Sequence, residues 1–296
     1  WDKNTINAVV EVKVSSDKTD LANKLLEEIM VEIKTDGNDV YIETSIPDRI
    51  PGKKETTFEI SISVNLPKYI NLDMESTYGS VYIEELKGQS DIEISYGALQ
   101  AISLSNNNSE SQNMIECEHS SCNIGNLSDA HVEMRFSKAA IEDVRSISID
   151  SEYSSVKIEN AGSVNSDSRY DTYSIMSVKD YFGESSFGNL HIAKVTGSLT
   201  SDLEFSRIKV NQINKGFQNV KVSIENGAGK LYIDPQASFI IRAYAESGNL
   251  GIGKEIEITK QKRDNADHYI EGKYGNENPG KIDIGVENGA ISVGIN

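Results

Sequence analysis

An acidic side chain recurs at one phase through the middle of the chain: Glu75, Glu93, Glu116, Glu133, Asp150, Asp167, Glu184 and Asp202. The successive separations are 18, 23, 17, 17, 17, 17 and 18 residues. Carboxylates ligate hard divalent cations such as Ca²⁺, and paired carboxylates on one outer face hydrolyse glycosidic bonds. If the repeats stack in register, neighbouring carboxylates stand ~4.8 Å apart. Like charges at that spacing repel by about 0.9 kcal/mol per pair in water. Two readings of the row stay open. One is a solvated, salt-screened face with raised carboxylate pKa values. The other is a ladder that holds Ca²⁺ weakly. Arg135 and Arg169, two places further on, are placed to neutralise part of it.

Other chemistry is sparse. His119, His131, His191 and His268 are scattered and form no HxxxH or Cys/His cluster. No GxSxG, P-loop or dinucleotide fingerprint is present. A polysaccharide lyase or hydrolase on a β-helix needs acids and bases together, and no Arg/Lys cluster stands in phase with the acid row. The expectation is a protein that is not an enzyme. A net charge of −17 argues against a nucleic-acid partner, which needs a basic footprint. Cys117 and Cys122 are too few for a disulfide scaffold or a Cys-rich zinc site, and they are expected as two buried thiols rather than a bond. Exposed tyrosines such as Tyr82, Tyr232 and Tyr269 fit either contact with a protein or sugar or ordinary strand propensity.

The elements that position the acid row are repeats. Three residues after each acid stands an aromatic or His: Tyr78, Tyr96, His119, Phe136, Tyr153, Tyr170, Phe187 and Phe205. A small or polar residue follows, and then alternating apolar positions. Three after the anchor lie Val81, Leu99, Cys122, Ala139, Val156, Tyr173, Leu190 and Ile208. Further apolar columns stand five and eight places after it. Strict alternation over short runs means strands with one face inward. A 17-residue unit is too short for a helix pair and fits one coil of a parallel β-solenoid. Parallel crossovers are right-handed by strong preference, so a right-handed β-helix is expected. The longest interval holds the Asn/Ser-rich insert Asn106-Asn107-Asn108-Ser109, read as a bulging loop. The anchor column is expected as an aromatic stack in the core, with His119 as one of its members and Phe136 and Phe187 buried.

Residues 72–217 hold the regular coils and residues 218–296 looser ones. The insertion from Glu255 to Gly280 is expected to protrude as a hairpin. Residues 1–71 read differently: a strand over Ile6–Val14, a helix over Asp20–Met30 capped by Asp or Thr, and strands over Val40–Thr44 and Thr57–Leu66. This strand–helix–strand segment is expected to cap the solenoid's open edge. The chain starts at Trp1, which fits a mature or truncated form.

The [Tyr/Phe]-Gly-x-[Leu/Val]-x-Ile repeats and the late turns Glu225-Asn226-Gly227-Ala228, Glu246-Ser247-Gly248-Asn249-Leu250 and Glu287-Asn288-Gly289-Ala290-Ile291 resemble the bacterial putative-adhesin families. The resemblance covers most of the chain. It implies an exported β-helical domain at the cell surface, outer membrane or periplasm, often carried on a lipid anchor outside this chain. It implies contact with protein or carbohydrate ligands of envelope or host, and supplies no catalytic residues. The alternatives are a carbohydrate-active β-helix enzyme and a structural or regulatory envelope protein with a cation-binding acidic face.

Overall fold

The computed structural model describes residues 3–50, 56–108, 111–275 and 279–296, so Ser109 of the insert lies outside the described residues. The chain divides into two compact units, Trp1–Lys68 and Tyr69–Asn296. In the first, β1 (Asn7–Ser16) leads to α1 (Thr19–Glu28), β2 (Met30–Asp36), β3 (Asp39–Ser45) and β4 (Thr56–Asn65). β1 pairs antiparallel with β4, and β2 with β3. The helix is shorter than its apolar spacing implies. Met30 already belongs to β2, and the residue before the helix is Lys18 in extended backbone rather than a capping Asp or Thr. Leu25 is the helix's buried anchor.

The second unit is an all-β parallel solenoid. Its strands are β5 (Leu72–Thr77), β6 (Ser80–Leu86), β7 (Ser90–Ser95), β8 (Ala98–Leu104), β9 (Asn113–Glu118), β10 (Ser121–Arg135), β11 (Lys138–Glu152), β12 (Ser155–Arg169), β13 (Thr172–Ser186), β14 (Asn189–Glu204) and β15 (Arg207–Ile213). They continue as β16 (Asn219–Glu225), β17 (Ala228–Ile233), β18 (Phe239–Glu246), β19 (Asn249–Ile252), β20 (Glu257–Asp264), β21 (Asp267–Tyr274), β22 (Gly280–Glu287) and β23 (Ala290–Ile295). Each of β10 to β14 bends midway and serves two sides of the coil. The registers match the repeat: Cys122 opposes Leu99 and Ala139, and Val156 opposes Ala139 and Tyr173. Leu99, Ile124, Ile141, Ile158, Ile192 and Val210 form part of the filled interior.

The aromatic column stacks as expected, but it is not in the core. Tyr78, Tyr96, His119, Phe136, Tyr153, Tyr170, Phe187 and Phe205 all adopt φ between 48° and 60°. Phe136 is 53% and Phe187 48% exposed. Alternation counted forward from Ile147, Ile149 and Ser151 would place the ring of Tyr153 inward, whereas alternation counted back from Val156 places it outward. A left-handed residue breaks the pleat and resets that count. These residues turn the corner of each coil, and the side chain there points to solvent. The left-handed region costs an L-residue roughly 1–2 kcal/mol. Each ring recovers about 0.5–1.5 kcal/mol per stacked neighbour.

The residue after each corner explains the small or polar place in the repeat. Ser120 Oγ accepts the backbone N–H of Gly97 at 3.1 Å. Ser137 Oγ accepts that of Ser120 at 3.0 Å, and Ser154 Oγ that of Ser137 at 3.1 Å. Asp171 Oδ1 takes Ser154 N–H, and Ser206 Oγ takes Gly188 N–H at 2.8 Å. The corner amides of Gly97, Ser120, Ser137, Ser154 and Gly188 are thereby each satisfied by a side chain of the next coil.

Two further expectations are corrected. Cys117 and Cys122 form a disulfide, with Cα atoms 7.0 Å apart. Both point inward from the two strands that meet at the His119 corner, where inner side chains converge. Such a short ring constrains the unfolded chain by on the order of 2 kcal/mol. The late insertion does form a hairpin, β20–β21, but β21 pairs antiparallel with β18 instead of protruding free. The parallel partner of β18 is β22, which also pairs with β16. The last coil in sequence, β22–β23, therefore sits between β16–β17 and β18–β19 in space.

Two outcomes follow. Phe136→Asn puts at an exposed corner the residue that Asn226 and Asn288 already place at φ 53° and 49°. Its cost in urea unfolding should stay within about 2 kcal/mol, because lost ring contacts are offset by relief of strain; a loss of 3–5 kcal/mol, typical of a buried Phe, would contradict the exposed corner. Deleting residues 280–296 should strip amide-exchange protection from residues 239–274 while β10 to β14 keep theirs. Retained protection over 239–274 would mean that β18 does not depend on β22.

Candidate functional surfaces

The acid row is a true ladder. Glu75 opposes Glu93, Glu93 opposes Glu116, and Glu116 opposes Glu133. The row continues through Asp150, Asp167, Glu184 and Asp202. All eight are exposed on the sheet that precedes the corner. His131 enters from a neighbouring outward column, its Nε2 at 3.3 Å from Glu133 Oε1 and 3.8 Å from Asp150 Oδ2. Arg135 and Arg169 stand in the outward column beside the corner, opposite Glu118 and Glu152 respectively, and Arg169 opposes Ser186 on its other side. The carboxyl of Glu93 is raised above its ordinary pKa by desolvation and then by Glu116 and Glu75 on either side. Among the described residues, no group of three or more His, Cys, Asp or Glu could hold a metal ion. The ladder is thus a row of single carboxylates rather than a cage.

The remaining histidines have separate settings. His119 stacks between Tyr96 and Phe136 at the corner, in the ring column but outside the core. His191 is exposed on β14. His268 is buried in the terminal hairpin at 2.8 Å from Gln261, and burial, with Arg263 nearby, lowers its pKa. Tyr82 is 61% exposed, whereas Tyr269 donates its hydroxyl to Glu271 on the same strand.

Alternation could not reveal the polar cluster inside the solenoid. Tyr173 and Tyr181 are buried, with hydroxyls 2.6 Å from Ser151 Oγ and 2.8 Å from Ser166 Oγ. Burial pushes the Tyr181 phenol up to about 12. Asp171 is buried beside them, and burial raises its pKa against hydrogen bonds from Ser151 and from the amides of Ser154 and Arg169. All three side chains are almost wholly buried. The Tyr181 phenol lies over Gly183 of its own strand, where a Cβ would meet it, and reaches Ser166 of the preceding coil.

At the second bend of the coils, the side chains form a polar groove of about 400 Å³. Asn126, Asp143 and Asn160 stand in register along it and are exposed. Leu127 and Val144 lie buried at its floor. Asn160 Nδ2 donates to Asp143 Oδ1 at 3.0 Å. Arg145 holds Asp129 through two contacts of 2.8 and 2.6 Å. Amides, a carboxylate and a guanidinium above an apolar floor can bind hydroxyl-rich ligands. The sequence signal for this groove was the polar residue seven places after each anchor, a column overshadowed by the acids.

The raised pKa of Glu93 has a definite sign. The folded state binds that proton more readily than the unfolded chain, so charged Glu93 lowers stability near neutral pH, and the penalty fades as pH falls through the raised value. Glu93→Gln should therefore raise the melting temperature near pH 7, with a gain that shrinks toward about pH 4. A gain that grows on acidification would overturn the repulsion argument.

Among the described residues, no helix is long and apolar enough to cross a membrane. In comparisons with known proteins, no family model, no curated protein and no solved structure matches this chain.

Proposed function

We propose that this chain is a non-enzymatic, exported contact protein of the adhesin-like kind, whose solenoid lays an extended polar groove against a glycan of envelope or host. The groove is the observation that carries this reading. Asn126, Asp143 and Asn160 repeat one hydrogen-bonding group per coil along the solenoid axis, which suits a ligand that is itself a repeating chain. A buried apolar floor under polar walls is the usual composition of a sugar or small-ligand site. The Cys117–Cys122 bond supports export, because disulfides persist in oxidising compartments. The resemblance of the corner repeats and late Glu-Asn-Gly turns to the putative adhesins supports the same placement.

One observation favours a second reading, a carbohydrate-active enzyme: Asp129, Asp143 and Arg145 share one stretch of surface. Arg145 and Asp129 are engaged with each other, which favours binding over proton transfer.

Screening the purified protein on an array of glycans and envelope components tests the proposal. Saturable binding is expected, weakened about tenfold by Asn126→Ala with Asn160→Ala, the loss of one or two good hydrogen bonds. Turnover of a polysaccharide into shorter or unsaturated products would replace the contact reading with the enzyme. Binding indifferent to both substitutions would move the ligand off the groove.

A further inference from the structure

The aromatic corner is a second surface, and its geometry selects a different ligand. The ring centroids from Tyr78 to Phe205 are 4.8 to 5.2 Å apart, and from Tyr96 onward the planes lie within 14° of parallel. Within the row, ring faces are covered by other ring faces. What solvent meets is a line of ring edges: Tyr153 is 48% exposed and Phe136 53%. At one ring per coil, eight rings make a ridge roughly 34 Å long. An exposed aromatic row of that length, four of its rings tyrosines and one the His119 imidazole, marks an interaction surface.

Ring edges carry the positive part of the aromatic quadrupole and prefer the π-face of another ring. A compact ammonium ion finds no open ring face within the row, so an ordinary cation–π contact is absent there. A flat molecule with an electron-rich ring laid along the ridge would present that face to one edge after another, an edge-to-face contact repeated with each coil. Any positive charge it carries must sit off the row, because a cationic face would be repelled by the edges. Charge sets its sign. Along the ring row the outward column beside the corner carries Glu118, Glu152 and Glu204 with Arg135 and Arg169, Glu225 follows one coil beyond the last ring, and the acid ladder of eight carboxylates stands behind. On the other flank, Lys138 and Arg207 are spread among Ser, Thr, Asn and Ala. The carboxylate flank dominates, in a chain of net charge −17.

We propose that the ridge from Tyr78 to Phe205 is a binding track for elongated, flat aromatic cations lying along the solenoid axis, with their charge toward the carboxylate flank. It does not depend on the glycan reading, since groove and ridge occupy different corners of the coil.

The test is a fluorescence titration of the soluble, monomeric fraction with thioflavin T, a flat benzothiazole cation. Congo red, a flat anion, is the counter-probe at equal ionic strength. Saturable thioflavin T binding that weakens with added salt is expected, together with weaker Congo red binding. F136N/Y153N/Y170N interrupts the row with the residue the chain itself uses at this corner, and should cost about tenfold or more in thioflavin T affinity. Tyr153→Asn alone, the variant that decides if the triple one misfolds, should cost about threefold. The proposal is wrong if thioflavin T does not saturate. It is also wrong if a variant with native circular dichroism binds within about twofold of the parent, or if Congo red binds as tightly as the cation.

Discussion

The solenoid depends on one backbone event repeated at the same phase of every coil: a residue in the left-handed region that turns the chain from one sheet to the next. Bulky side chains resist that conformation, yet eight aromatic or His residues adopt it in succession. Each is stabilised by its neighbours. Stacking on neighbouring rings returns the strain of the corner, and where a Ser or Asp follows the ring in the next coil, as at Ser154 and Asp171, its side chain closes the corner amide of the coil before. Where the ring row ends, Asn226, Asn288 and Ser247 take the corner. Asn tolerates the left-handed region through its own short polar side chain and needs no stack.

Stacking in register then fixes what the outside can be. Any residue type kept at one phase becomes a ladder, so a carboxylate repeated once per coil becomes a charged row and an amide repeated once per coil becomes a groove wall. The acid ladder is tolerable because it is exposed and screened, with His131 beside Glu133 and Asp150. Inside, large and small residues trade volume: the Tyr181 phenol fits over Gly183 of its own strand and against Ser166 of the preceding coil. Function on such a scaffold is a matter of which column faces solvent.

The end of the solenoid is closed by threading rather than by composition. β22–β23 slots between two earlier coils, and the β20–β21 hairpin covers β18 from the other side. The outermost strand, β20, is exposed throughout and carries Glu257, Lys260, Lys262, Arg263 and Asp264. Charges of both signs along a free edge discourage pairing with another sheet. The unit thus ends in strands that resist extension.

The amino-acid sequence determined the period, the parallel register, the inward columns three and five places after each anchor, and the acid ladder. All of these are local consequences of alternation within a strand and of stacking like on like. It also held, unread, the sign of the corner: inner columns fall two and four places before the anchor but three and five after it, and alternation cannot cross that change without a break. Which way the rings point was decided by the left-handed turn, which exists only once two sheets meet. The Cys117–Cys122 bond was decided there too, by inward side chains converging from both sides of one corner. The place of the last coil was decided by competition among strand edges far apart in the chain, because hydrogen-bonding edges are alike in every strand and only the assembled solenoid shows which one is left open.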